Sequence, residues 1–204
     1  MILGQARGMR RALTAALLAG TLTASGTLVS ATARADDYFT PLPDVGKHSW
    51  CYASGFNQET PAINSMENVE DQTVVDTKYE SACDSATDVK WFEKPTSFFS
   101  VGEFGRTECK DRQNALPERC DNWYVYLNMS LINSSTYPTV QRRQTVCHEL
   151  GHTLGVRHYS HPGSLYGYTT CMVSGEAEVG SGSWYKKYDQ HHVTAHINPW
   201  FNQP

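Results

Sequence analysis

The stretch Val146-Cys147-His148-Glu149-Leu150-Gly151-His152-Thr153-Leu154-Gly155-Val156-Arg157-His158 restricts this chain more than any other. Residues four apart share one face of a helix, about a turn from each other, so His148 and His152 can hold one metal ion between them. Glu149 follows the first histidine and can reach the outer side of that ion without ligating it. Gly155 marks where the helix must stop, because glycine accepts the left-handed backbone that a helix C-terminus often uses. A sharp turn there brings His158 underneath as a third nitrogen. Three histidines with one open position are the donor set of a catalytic zinc ion, whereas structural zinc sites usually close with four protein ligands. The expected cofactor is therefore one Zn2+ on His148, His152 and His158, with Glu149 as catalytic base. The plainer alternative is a surface helix with scattered histidines.

The pattern His148-Glu149-x-x-His152-x-x-Gly155-x-x-His158 resembles the signature of the metzincin zinc endopeptidases. That clan also places a methionine turn beneath the metal, and Thr170-Cys171-Met172-Val173-Ser174-Gly175 fits it. Short exported chains of this kind look like the small bacterial snapalysins and the catalytic domain of matrixins. Snapalysins carry aspartate as third ligand, so His158 favours the matrixin-like pattern. Astacins and serralysins place a tyrosine two residues after the methionine; here that position is Ser174, and no such metal contact is expected. The firm match covers residues 148–172. The resemblance implies an α/β (α+β) fold: a mixed sheet packed on the metal helix, then a smaller C-terminal subdomain ending in a helix, with zinc in the cleft between. It implies a protein or peptide substrate bound extended along an exposed strand edge, with the loops Tyr159–Thr169 and Val173–Tyr185 walling the pocket. The expected state is a monomer. Two other functions compete: a zinc amidase acting on cell-wall peptides, and a catalytically silent, zinc-stabilised binding module.

Residues 1–35 read as an export signal. Arg7, Arg10 and Arg11 form a basic start, Ala12 to Val29 is an apolar run diluted by threonines, and Ala33-Arg34-Ala35 offers a cleavage site. Residues 36–204 then form one expected catalytic domain, secreted and free of the membrane. Of 17 Lys+Arg, four lie in the signal, so the remainder carries 13 cations against 21 acids, a charge near −8. That balance argues against nucleic acid or an anionic membrane as partner.

All six cysteines lie in the mature part, which suggests disulfides with fifteen possible connectivities. Cys109 and Cys120 bracket a polar loop, Lys110 to Arg119. The metzincin arrangement stacks the elements that carry Cys147 and Cys171 around the metal and so pairs those two. Cys51 and Cys83 remain for each other. An inhibitory role for Cys51 is the lesser reading.

Helical spacing of Ala62, Met66, Val69 and Thr73 after Thr60-Pro61 predicts a helix over 61–75. Its Glu67, Glu70 and Asp71 read as a solvated face; a structural Ca2+ ion is left open, with no motif to hold it. Strands are predicted at Thr87–Glu93, Ser97–Phe104 and Asn122–Leu131, the last from the alternation of Trp123, Val125, Leu127 and Met129. Asn128-Met129-Ser130 and Asn133-Ser134-Ser135 match the glycosylation pattern. Pro138 opens the metal helix, whose buried stripe is Val146, Leu150 and Leu154. Asp189 caps a final helix in which His192 and His196 share the zinc-pair spacing but have no glutamate or third ligand, so packing is the expected role. His161, three residues past His158, reads as loop.

Overall fold

Alternating Trp123, Val125 and Leu127 bury one face of a strand almost completely, at 1% exposure or less, and the sheet grows around that strand. The computed structural model describes residues 41–44, 46–114, 118–158, 170–177 and 183–203. The expected export signal and His161 lie outside them. The strands are β1 (Leu42–Pro43), β2 (His48–Tyr52), β3 (Thr77–Tyr79), β4 (Val89–Glu93), β5 (Gly105–Gln113) and β6 (Arg119–Leu127). The helices are α1 (Glu59–Gln72), α2 (Met129–Ser134), α3 (Pro138–Thr153) and α4 (Asn198–Phe201), the last preceded by a π-helical stretch over His192–Ile197. Across the sheet the order is β5-β6-β4-β2-β3, with β1 beside the start of β6. All neighbours run parallel except β5, which pairs antiparallel with β6 and forms one edge. The fold is mixed α/β, with α3 packed on β5, β6, α1 and α2.

Helix α1 turns Ala62, Met66 and Val69 to the core at 1% exposure or less. It begins two residues before the predicted start, with Pro61 in its first turn, where a missing N–H is harmless. It ends before residue 75 because Thr73 closes it, its N–H and hydroxyl both donating to Val69 O at 2.9 and 2.7 Å.

Two strand predictions are corrected. Ser97–Phe104 is not a strand: Thr96–Phe98 is a short 3-10 turn, and the chain reverses at Gly102 with φ 78°. The strand lies further on, as β5, where Gly-Arg-Thr-Glu-Cys-Lys-Asp-Arg-Gln shows no apolar alternation because an edge strand buries little. The first part of the expected Lys110–Arg119 loop, Lys110 to Gln113, is thus strand, and Arg119 opens β6, with the two strands tied by Cys109–Cys120. β6 stops at Leu127 rather than Leu131, because the Asn128 side chain caps α2 by accepting from Leu131 N at 3.2 Å. Asn128 is fully buried and also donates to Glu103 O, so in the folded chain it offers no glycosylation acceptor.

Tyr124 and Tyr126 point to the opposite sheet face, where Phe92 and Phe98 join them in one ring cluster. Lys94 Nζ lies 5.3 Å from the Phe92 centroid and the Arg106 guanidinium 5.0 Å from that of Phe98. The charged heads of these two side chains thereby lie over ring faces. Three disulfides, Cys51–Cys83, Cys109–Cys120 and Cys147–Cys171, leave no free cysteine, as an oxidising compartment allows. No helix among the described residues is long and apolar enough to cross a membrane.

His48, on β2, is fully buried and shares a 2.9 Å hydrogen bond between its Nε2 and Thr153 Oγ1 at the end of α3. Burial lowers its pKa to about 4. In the unfolded chain an imidazole protonates near pH 6.5, so acid favours unfolding once the pH falls below that value. The loss grows until the folded pKa is passed and reaches at most about 3 kcal/mol. His48→Gln should therefore lose less melting temperature than wild type between pH 7 and pH 4. Parallel melting profiles for the two proteins would contradict this.

Candidate metal centre

Helix α3 presents ten buried residues, so it is enclosed rather than laid on a surface. His148 and His152 sit one turn apart with ring centroids 4.8 Å from each other, and His158 stands 4.8 Å from both. One ring nitrogen of each lies within 4.8 Å of the others. The closest pair, His152 Nε2 and His158 Nε2, is 3.0 Å apart. Nitrogens sharing a tetrahedral ion at 2.0–2.1 Å stand about 3.3 Å apart, inside this range. Among the described residues no other group of three ligating side chains converges in this way.

The return of His158 depends on how α3 ends. Gly155 takes φ 79°, its N–H donates to His152 O at 3.1 Å, and Val156 N–H reaches back to Gly151 O at 2.9 Å. This is the Schellman pattern, which reverses the chain within two residues. It also frees Val156 O to accept from His152 Nδ1 at 2.8 Å. His148 Nδ1 likewise lies 3.0 Å from Cys171 O. With Nδ1 carrying the proton, Nε2 of each ring keeps its lone pair for an ion. Burial lowers His148 to about 4 and His152 well below the usual imidazole value; His158, exposed at the rim, is shifted in the same direction by partial desolvation of its ring. The donor set therefore fits a borderline-soft dication such as zinc.

The turn at Thr170–Met172 is held against α3 from several sides. Cys147–Cys171 joins them with Cα atoms 5.9 Å apart. Cys171 N donates to Lys187 O at 2.8 Å, Met172 N to Thr170 Oγ1 at 3.2 Å, and Tyr188 OH to Cys147 O at 2.9 Å. Met172 is fully buried, and a methyl built on Gly151 would overlap its Sδ and lie 2.9 Å from Tyr188 Cε1. Only glycine lets the turn sit this close.

Glu149 is almost completely buried and faces the same cleft. Thr107 on β5 donates to its Oε2 at 2.7 Å and lies 2.9 Å from its main-chain oxygen. A methyl on Gly105 would meet Glu149 Cγ and Oε1 at 2.8 Å, so the strand can approach only as glycine. Burial pushes the Glu149 carboxyl up to about 8, opposed by the Thr107 hydrogen bond. A dication at the three nitrogens would draw it back down.

The cleft holds about 330 Å3 and runs from Gly102–Thr107, past the three histidines, to Val173–Gly175. One expected wall, Val173 onward, thus lies where it was placed for three residues; 159–169 and 178–182 fall outside the described residues. Gln144 Nε2 fixes that wall by donating to Val173 O at 2.8 Å, and Gln141 Oε1 accepts from Ala177 N at 2.5 Å. His192 and His196 are buried in the final helical segment, His192 Nδ1 lying 3.0 Å from Asp189 Oδ1.

Gly105, Thr107, Gln144 and Tyr188 gave no signal in the sequence. Gly151 did, since glycine inside a helix is unfavourable by about 1 kcal/mol against alanine and asks for a packing reason. Compared with protein-family models and with curated proteins, the chain matches none.

Two outcomes follow from this geometry. His158→Ala should bind zinc more than about 100-fold more weakly, since even supporting groups around a metal contribute 10–100-fold; unchanged zinc content after dialysis would exclude His158 as a ligand. Gly151→Ala should lower stability by about 1–3 kcal/mol through overlap with Met172, although helix propensity alone predicts a gain of about 1 kcal/mol. The sign of the change in denaturant midpoint decides between the two.

Proposed function

We propose that this protein is an exported, zinc-dependent endopeptidase of the metzincin type. One observation carries the reading: three neutral imidazoles converge on a point in a cleft that also holds a buried, non-ligating glutamate and runs along a sheet edge. Neither a structural zinc site nor a binding module needs that glutamate. The paired cysteines and the basic-apolar-small pattern of residues 1–35 support export.

A bound zinc ion supplies a polarised carbonyl and a water whose pKa falls to about 7. The rest is work for the chain. The outer edge of β5 offers main-chain hydrogen bonds to an extended peptide, which binds many sequences with little preference. Glu149 Oε2 is engaged by the Thr107 hydroxyl, which leaves the second carboxylate oxygen to take a proton from the attacking water. The same carboxyl then hands that proton to the departing amine. Burial of Glu149 excludes competing solvent from this transfer.

Casein should be cleaved by the wild-type protein, inactivated by a chelator and restored by zinc. Glu149→Gln should keep zinc content and melting temperature and lose about 10²–10⁴ in rate, the usual contribution of a general base. Release of peptides from purified cell wall without casein cleavage would move the assignment to an amidase. Zinc-loaded wild type that cleaves neither substrate would leave a silent module, and full activity of zinc-loaded Glu149→Gln would refute the general base.

A further inference from the structure

We propose that Thr107 is a positioning residue for Glu149, holding the carboxylate at one rotamer from the edge strand; this rests on the peptidase reading above. Residues two apart on a strand face the same way, so Gly105 and Thr107 both look towards α3 while Arg106 looks away. Arg106 is engaged on the opposite face, bonded to Glu103 at 2.6 Å and stacked over Phe98. On the inner face, the two residues shape the carboxylate from two sides. Thr107 Oγ1 stands 2.7 Å from Oε2, and the absent side chain of Gly105 leaves room for Cγ and Oε1, which a methyl there would meet at 2.8 Å. The same hydroxyl lies 2.9 Å from the Glu149 main-chain oxygen, so its single proton serves two acceptors of one residue. It therefore fixes the side chain relative to its own backbone. A glutamate has three side-chain torsions, and a carboxylate beside a reacting centre is useful only in a narrow part of that space.

β5 is placed for this by its pairing with β6, Thr107 opposite the buried Val125 and Gly105 opposite Leu127. The strand that offers its outer edge to substrate is thus also the strand that orients the base. A purely structural role for Thr107, tying β5 to α3, predicts something else: lost stability, with turnover per folded molecule intact.

Thr107→Val keeps the shape and β-branching of the side chain and removes only the hydroxyl; Thr107→Ser keeps the hydroxyl. The valine variant should stay folded at the assay temperature, with some loss of melting temperature for the unpaired acceptors. It should keep its zinc content and a KM within twofold of wild type, while kcat per folded molecule falls about 10- to 100-fold, as expected when a proton acceptor is misplaced. The serine variant should restore most of kcat. Crystals of zinc-loaded Thr107→Val should show the Glu149 carboxylate rotated off its wild-type position or split between rotamers. Unchanged kcat, a loss expressed through KM or unfolding alone, or an unmoved carboxylate overturns the proposal. If wild type itself cleaves no peptide bond, the peptidase reading fails, and the carboxylate position in the two crystals still decides the role of Thr107.

Discussion

The Nδ1 nitrogens of His148 and His152 are engaged by main-chain carbonyls, those of Cys171 and Val156, and much of the surrounding structure keeps those two carbonyls in place. A ring that is to share an ion must keep its proton on the far nitrogen, and a buried carbonyl is the simplest acceptor for it. Val156 O is available only because α3 ends at Thr153 and the chain turns on the left-handed Gly155 just before it. Cys171 O is available because a disulfide to Cys147 and a hydrogen bond to Lys187 hold its turn against the helix. Helix termination, covalent cross-link and imidazole tautomer are therefore one linked arrangement, and loss of any member would be felt at the ring nitrogens that could hold a metal ion.

The same helix explains why so many polar groups are buried here. Gln141, Gln144 and Thr145 are each about 96–98% buried, yet they lie on the face that continues towards His148 and Glu149. Burying them would be unfavourable without partners. Gln144 donates to Val173 O, and Gln141 accepts from Ala177 N and donates to Thr145 Oγ1 at 3.2 Å, so one wall of the cleft hangs from the two glutamines of α3. Two close approaches to this helix occur at glycine or by glycine: Gly151 admits Met172, and Gly105 admits Glu149. A site that must bring a strand, a turn and a helix to one point runs out of room for side chains, and glycine is the residue that yields it.

Layering accounts for the character of β5. One face of the sheet packs on α1 and α3, while the other carries a ring cluster with lysine and arginine head groups over it. An edge strand in that position carries charge on its outer face, and Arg106, Glu108 and Lys110 form a run of ion pairs with Glu103. Exposed pairs of this kind add little stability, but charge along an edge discourages pairing with another copy of the chain. Such an edge suits the proposed binding of an extended peptide, which needs main-chain groups not already paired with a second copy.

By itself the sequence determined the local chemistry. The spacing of His148, His152 and His158 around Gly155 is readable because helix periodicity and the left-handed allowance of glycine act over a few residues, whatever the rest of the chain does. The buried stripes of α1, α3 and β6 were legible for the same reason: burial of one face imposes a period. What lay beyond the sequence has a common cause. β5 buries too little to alternate, and its position comes from pairing with β6 and from Cys109–Cys120. The end of β6 at Leu127 was hidden because Met129 continued its alternation, while the Asn128 cap that overrides it needs three-dimensional context. Thr107, Gly105 and Tyr188 act across more than thirty residues of chain on Glu149 or Cys147. No pattern in the order of residues marks a contact of that kind, because only the packing of strand, turn and helix brings the two ends together.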